Sequence, residues 1–387
     1  MAKNQKPKKI RTALKKRHQT RSRQRNLTRD FQEHGFENDD PEFQERLSGK
    51  GELTRHRTVV GNETTAEDTG VQIHPSVDEL DTITGRVLRI HGLESVVMAE
   101  DGTQFHCAVR GLLKNLDTQQ RNVVAVGDHV VLRPEASNSS RDRQEGLILR
   151  VEPRHGVISR TSSGKQHVLV ANTDQIVVVA SVCEPTLKPN LIDRFIITAE
   201  KAGIHSIVCL NKIDLIDASE LQPIAGVYGQ LGYRILFTSA IRKQGIAQLK
   251  SLLAGKQTVV VGQSGVGKSS LLNAIDPELE LRTAVVSTEN QKGKHTTTGA
   301  HLIPLQNGGF VVDTPGIRQF QLWDVIAEEV AGFYRDIRPF INRCRFPDCT
   351  HIHEVQCGVK HAVADGLLDL RRYDSYCQIR CDEGLSG

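Results

Sequence analysis

The sequence predicts a multidomain protein: a small β-barrel of OB-fold type, then a doubly wound α/β domain, then a small α-helical domain organised by a metal ion. Three observations predict it. Short alternating apolar runs separated by turn residues fill residues 83–152. Continuous apolar strands alternate with helical segments through residues 155–322, and one of them leads into the Gly-rich turn of VVVGQSGVGKSSLLNA, Val259 to Ala274. Cys344, Cys349, Cys357, Cys377 and Cys381 crowd residues 323–387.

Residues 1–82 precede the barrel as a basic arm and linker, expected to be largely disordered. The first thirty residues hold twelve Lys or Arg, from Lys3 to Arg29, against one acid, Asp30. The whole chain carries only +4, so the remainder is net acidic. So charged a block cannot bury a core. Its cations suit a polyanion and would displace counterions from the phosphates of a nucleic acid. Phe31 to Asp81 is polar and weakly periodic, a linker with room for one transient helix. No apolar run reaches the length that spans a bilayer, and the N-terminus lacks the apolar core of a secretory signal. The expectation is a cytoplasmic protein with no membrane partner. Eight cysteines in such a chain argue against a disulfide framework. Cys107, Cys183 and Cys209 stand singly in strand-like runs and read as small core hydrophobes.

The barrel strands are TGRVLRI, ESVVMAEDGTQFHCAVR, DHVVLRP and EGLILRVEPR, with Asp101-Gly102 as a hairpin turn. Four or five strands in this length suit an OB-fold. Phe105 is the main aromatic available to stack a base, which supports base stacking poorly.

In the α/β domain, QIVVVASV is a strand covered on both faces. LIDRFIITAEKAG is a helix ending at Gly203, and HSIVCLNKIDL is the next strand. A helical segment, the strand YRILFTSA, and the helix GIAQLKSLLAG with Gly255 as its stop follow. QTVVVGQSGVGKSSLLNAI is strand, loop and helix, and GGFVVDTPG is one more strand. Sheets of this kind bind ligands beyond the carboxyl ends of their strands, where each motif below falls.

Gly262, Gln263, Ser264, Gly265, Val266, Gly267, Lys268 and Ser269 fit G-x-x-x-x-G-K-[ST], with Ser270 continuing into the helix. The glycines let backbone N–H groups turn inward around a β-phosphate, and the helix N-terminus adds partial positive charge. Lys268 can reach the β and γ oxygens, and the Ser269 hydroxyl can ligate Mg²⁺. Asn211, Lys212, Ile213 and Asp214 form NKID after the strand SIVCL. A carboxylate such as Asp214 can accept from both N1–H and N2–H₂ of guanine, a pair that adenine does not offer. Asn211 can address the other edge of the base and tie loops together, and the Lys212 stem can lie over the ring. Ser239-Ala240 places a backbone N–H where guanine O6 could be met. The expected ligand is GTP.

Asp313-Thr314-Pro315-Gly316 ends the FVV strand: Asp313 can hold Mg²⁺ through water, and the Gly316 N–H can meet a γ-phosphate. Between the phosphate loop and DTPG lies GKHTTTG, where Thr296 or Thr297 is the candidate for closing the Mg²⁺ shell. Ile317 follows DTPG, and an aliphatic side chain cannot orient an attacking water. His295 is the candidate substitute, with a solvated loop histidine as the competing reading. The base-reading motifs come first and the phosphate and switch motifs after them, so the domain reads as a circularly permuted GTPase.

CRFPDCTHIHEVQC carries Cys344, Cys349, His351 and Cys357 at a spacing that suits a closed, structural, tetrahedral Zn²⁺ site. His353, Cys377 and Cys381 compete as ligands. Cys377 and Cys381 also fall on one face of a predicted helix, where core packing accounts for them.

With NKID, GQSGVGKSSLLN, KHTTT, DTPGIRQF and the Cys/His cluster in that order, the chain from Ile83 to its C-terminus resembles the bacterial small ribosomal subunit biogenesis GTPases, the RsgA family. The resemblance implies an OB-fold, a permuted GTPase domain and a C-terminal zinc-binding domain. It implies a GTP hydrolase, monomeric when free, that binds the small (30S) ribosomal subunit and its rRNA late in maturation. Hydrolysis to GDP and phosphate would be faster on the subunit and would check or release late assembly factors. The family's metal pattern falls on Cys344, Cys349, His351 and Cys357. The family also has an aliphatic residue after DTPG, and the histidine of its HTT motif, here His295, has been considered catalytic. The arm from Met1 to Asp30 is an extension about which the resemblance says little.

Overall fold

The computed structural model describes residues 8–13, 56–66, 70–75, 81–111, 113, 122–135, 143–162, 165–281, 300–313 and 325–384. The chain divides into two compact units, Met1–Asp78 with Arg110–Gln119, and Glu79–Val109 with Gln120–Gly387. In the first, β1 (Lys8–Ala13), β2 (His56–Ala66) and β3 (Gly70–Pro75) make an antiparallel sheet in the order β1-β2-β3. These strands depart from the largely disordered arm and linker expected there. HRTVV and GVQIH hold the β-branched residues that a ladder accommodates, but the charge and polar residues around them masked that signal.

In the second unit, β4 (Ile83–His91), β5 (Glu94–Ala99), β6 (Gln104–Val109), β7 (His129–Glu135) and β8 (Gln144–Val151) close a barrel in the order β4-β5-β6-β8-β7. It is the five-stranded OB-type architecture expected. Asp101-Gly102 makes the hairpin turn: the Gly102 N–H donates to Ala99 O at 3.0 Å, and the Thr103 N–H to the Asp101 carboxylate at 2.9 Å. Phe105 is buried in the barrel, so it is core and no platform for a base. Cys107 is buried beside it, and desolvation pushes its thiol up to about 12.

A hairpin of β9 (Ile158–Ser162) and β10 (Lys165–Val170), not anticipated from the sequence, follows the barrel. Arg154 clamps the passage. Its Nε and Nη2 donate to the two carboxylate oxygens of buried Asp128, each at 2.7 Å. Where the barrel meets the sheet, the Arg86 guanidinium lies 4.6 Å over the Phe310 ring and donates to His129 Nε2 at 2.7 Å. Burial, then the Arg86 charge, hold His129 below the usual histidine range, which keeps that nitrogen free to accept.

The central sheet contains β11 (Gln175–Ser181), β12 (His205–Asn211), β13 (Arg234–Thr238), β14 (Gln257–Val261), β15 (His301–Pro304) and β16 (Phe310–Asp313). Its order is β13-β12-β11-β14-β16-β15, parallel except for the antiparallel β15–β16 pair. Every residue of β11 is buried, as its unbroken apolar run requires. Ile176 and Val178 pack toward α1 (Pro189–Lys201) and α2 (Gln222–Gln230), whereas Val177 and Val179 pack toward α3 (Ile246–Leu253) and α4 (Lys268–Ile275). Strand order reverses between β11 and β14, and a doubly wound sheet opens its ligand crevice at such a point.

The C-terminal helices are α5 (Val330–Phe333), α6 (Arg338–Ile341), α7 (Gly358–Ala364) and α8 (Leu370–Gly384). Their core contains Val330, Tyr334, Ile337, Val359 and Tyr376, and also Ile197 of α1. Thus α1 is apolar on two faces: Ile192, Phe195, Ile196 and Ala199 meet the sheet cluster, and Ile197 meets the C-terminal one. Between these faces Asp193 is fully buried, and Arg372 of α8 enters to meet it. The same guanidinium donates to both oxygens of Asp336, at 2.9 and 3.0 Å, and lies 4.4 Å from the Tyr334 ring centroid. The Tyr228 hydroxyl donates to Asp193 Oδ1 at 2.8 Å. Around the rim, Arg335 pairs with Glu200 at 2.7 Å, Lys201 with Glu329 at 2.6 Å, and Arg194 with Asp382.

Two cysteine expectations need correction. Cys183 is exposed, because the apolar strand stops at Ser181 and the thiol falls in the following turn. Cys381 is exposed too, while Cys377 packs against the C-terminal core. Cys209 is the buried strand residue expected, with burial pushing its thiol up to about 11. No helix among the described residues is long and apolar enough to cross a membrane.

Candidate functional site

The phosphate loop begins where β14 ends, beside the carboxyl end of β11. Gly262 has φ 143°, and a Cβ there would come 2.1 Å from the Val179 carbonyl oxygen, so only glycine lets the two strand ends approach. Lys268 opens α4, placing Ser269 and Ser270 in its first turn at the partially positive helix end. The Lys268 ammonium donates to the carbonyls of Gly262 and Gln263 at 2.8 Å each, which pins its charge to the loop's own backbone.

Asn211, at the end of β12, joins the base-reading loop to the phosphate loop. Its Nδ2 donates to Val266 O at 2.8 Å, and its Oδ1 accepts from the Thr238 hydroxyl at 3.1 Å. Both ends of a side chain only 1 % exposed are thereby satisfied. Gly267 is the counterpart across the junction: φ is 95°, and a Cβ would stand 2.4 Å from Asn211 Nδ2. Gly267→Ala should therefore push Asn211 out of place. A loss of nucleotide affinity of at least about tenfold is expected, from unpaired buried polar atoms plus backbone strain. Titration of a fluorescent GDP derivative checks it, and unchanged affinity would contradict the junction.

Lys212 has left-handed backbone geometry, φ 66°, and Ile213 and Asp214 enter a short 3₁₀ turn. The Ser239 hydroxyl donates to Asp214 Oδ1 at 2.5 Å while accepting the Arg242 N–H at 3.1 Å. Two further bonds of 3.1 Å, between Ser239 and Gln244 backbones, close the turn that carries Ala240. Asp214 and Ser239-Ala240 are thus one hydrogen-bonded unit. Thr238 was missed in the sequence. Its place at the end of β13, just before Ser239, was the only signal, and it becomes meaningful once Asn211 Oδ1 is known to need a donor.

Asp313 ends β16, paired with His301 and next to β14's neighbourhood in the sheet. His295, Thr296, Thr297 and Gly316 lie outside the described residues.

The second cluster is in the C-terminal helices. One ligand atom from each of Cys344, Cys349, His351 and Cys357 lies within 4.8 Å of all the others. Cys344 Sγ is 3.3 Å and Cys357 Sγ 3.5 Å from His351 Nδ1, and the two sulfurs are 3.9 Å apart. A tetrahedral cation with metal–sulfur bonds of about 2.3 Å needs edges of about 3.8 Å, so the four donors fit one ion. His353 and the pair Cys377 and Cys381 stand outside this group. The Gly358 N–H donates to Cys344 Sγ at 3.3 Å, and the Tyr373 hydroxyl donates to the His351 carbonyl at 2.7 Å. These outer contacts orient the ligands.

A family model described as RsgA GTPase matches residues 151–323. The chain is 37% identical over 303 residues to the small ribosomal subunit biogenesis GTPase RsgA of Chlorobaculum parvum, covering 76% of this chain and 96% of that protein. Against the protein of the same name from Porphyromonas gingivalis it is 38% identical over 308 residues, covering 77% and 96%. Among solved structures, YjeQ from Thermotoga maritima superposes with a TM-score of 0.62 at 33% identity, over 78% of this chain and 98% of that one. YloQ, described as a circularly permuted GTPase, gives 0.60 at 29% identity, over 81% and 99%.

Proposed function

The chain belongs to the RsgA family of small ribosomal subunit biogenesis GTPases, and on that premise we propose that it binds the maturing small subunit and its rRNA and hydrolyses GTP in response, checking or releasing late assembly factors. The observation that carries this reading is the Asn211–Val266 bond. It ties together two motifs that the permuted chain order keeps apart.

In this site Asp214 accepts from the guanine edge, and the Ala240 N–H meets O6. The N–H groups of Gly262 to Ser270, with Lys268, hold the phosphates. Mg²⁺, when bound with GTP, neutralises charge developing on the β and γ oxygens. Ser269, Asp313 and Thr296 or Thr297 would hold it, Gly316 would sense the γ-phosphate, and His295 would orient water. The Cys344, Cys349, His351 and Cys357 donor set, sulfur-rich and closed, suits a structural Zn²⁺. The barrel, the C-terminal helices and the basic arm from Met1 to Asp30 would contact the subunit. The protein is cytoplasmic and monomeric when free.

The test is the GTPase rate of the full chain against rising concentrations of purified 30S subunits, with and without residues 1–30. Stimulation that saturates supports the reading, and a shift of half-saturation on arm removal assigns the arm. A flat response refutes subunit-triggered hydrolysis.

A further inference from the structure

We infer that Ser181, through the carbonyl of Glu184, is a positioning residue for Lys212 and so sets how tightly the site holds the guanine ring. The inference rests on the assignment of NKID to the base.

None of the nucleotide motifs includes the turn after β11, yet the ladder locks it to NKID. Ser181 pairs in register with Asn211, and the Val182 N–H donates to the Asn211 carbonyl at 3.1 Å. The chain then curls so that the Ser181 hydroxyl donates to Glu184 O at 2.9 Å. The Lys212 ammonium donates to that same oxygen. A carbonyl has two lone pairs and can accept both. Ser181 is only 2 % exposed, so its hydroxyl is a fixed part of the scaffold, whereas Lys212 is only half-buried.

The order of dependence follows. A lysine stem loses considerable rotamer entropy when held. Left-handed φ at Lys212 turns the stem back toward β11, where the Glu184 carbonyl captures its end. Ser181 aims that carbonyl. On the other side, Pro185 lies against the phosphate loop: a Cβ on Gly265 would be 3.8 Å from Pro185 Cδ. The turn from Val182 to Lys188 is therefore a further wall of the nucleotide site, touching both the base-reading and phosphate loops. With Lys212 pre-ordered, a purine ring entering beside Asp214 finds a flat aliphatic cover already in place.

The experiment is a double-mutant cycle on the full chain, reading the Kd of a fluorescent GDP derivative. Ser181→Ala and Lys212→Ala should each weaken binding about fivefold, the worth of one ordinary hydrogen bond. The double variant should be no weaker than Lys212→Ala alone, and Ser181→Thr should restore wild-type binding. Additive losses, or wild-type affinity in a folded Ser181→Ala, overturn the inference. If Ser181→Ala fails to fold, Ser181→Cys, nearly isosteric with a weak S–H donor, should show a smaller loss that Lys212→Ala again masks. Wild-type binding by Ser181→Cys then overturns it. Asp214→Asn, measured in parallel with GTP and XTP, separates the premise: retained guanine preference there would remove the base assignment itself, independently of the cycle.

Discussion

Arg372→Ala should destabilise the full chain by about 3–5 kcal/mol, because it leaves two buried carboxylates facing each other without their cation. Asp193 is fully buried and Asp336 nearly so, and both are bonded to this guanidinium. The Tyr334 ring also loses its cation, adding to the cost. Denaturant unfolding checks the magnitude. The informative comparison is the triple change Arg372→Met, Asp193→Asn, Asp336→Asn, which removes all the charges at once. It should recover much of the loss, since the penalty comes from unpaired buried charge and not from the absence of a salt bridge. Equal destabilisation by the single and triple variants would assign the effect to packing.

Cys357→Ser should abolish metal binding and unfold the C-terminal helices. Cys357 is fully buried at the start of α7 and packs into the core that holds Val359, Tyr334 and Tyr376. A structural zinc, the ion proposed for this site, contributes apparent binding free energy of about 10–16 kcal/mol at neutral pH, far more than the thin core around the cluster can replace. On the proposed assignment, elemental analysis should fall from one zinc per chain to none, with a loss of helical circular dichroism. His353→Ala should retain the metal, since that side chain is exposed and outside the cluster. Zinc retained by Cys357→Ser would mean that the ligand set is different.

The elements legible in the sequence were those with one dominant local signal. The all-buried run of β11 and the strand–loop–helix at Gly262 to Ser270 fall in this group. The alternating barrel strands and the Cys344–Cys357 spacing also do. What was not legible depends on partners distant in sequence. Arg372 looks like any exposed helical arginine until α1 brings Asp193 to it, 179 positions away in the chain. The turn at Glu184 uses backbone oxygen as its functional group, which leaves no trace in side-chain patterns. Cys183 misled, whereas Phe105 bore out the weak case for base stacking, and position within the strand decides both. One sits just past the end of an apolar run, and the other is an aromatic whose strand alternation turns it inward.

The two-faced burial of α1 bears on modularity. The helix lies within the first part of the permuted nucleotide domain, yet part of its packing surface is supplied by residues beyond Val325. A nucleotide domain expressed without those residues would present Ile197 and the Asp193 carboxylate to solvent, and the helix that starts beside the phosphate loop would lose its outer support. The chain is divided into segments by motif and by order, but in folding free energy the sheet and the C-terminal helices act as one unit.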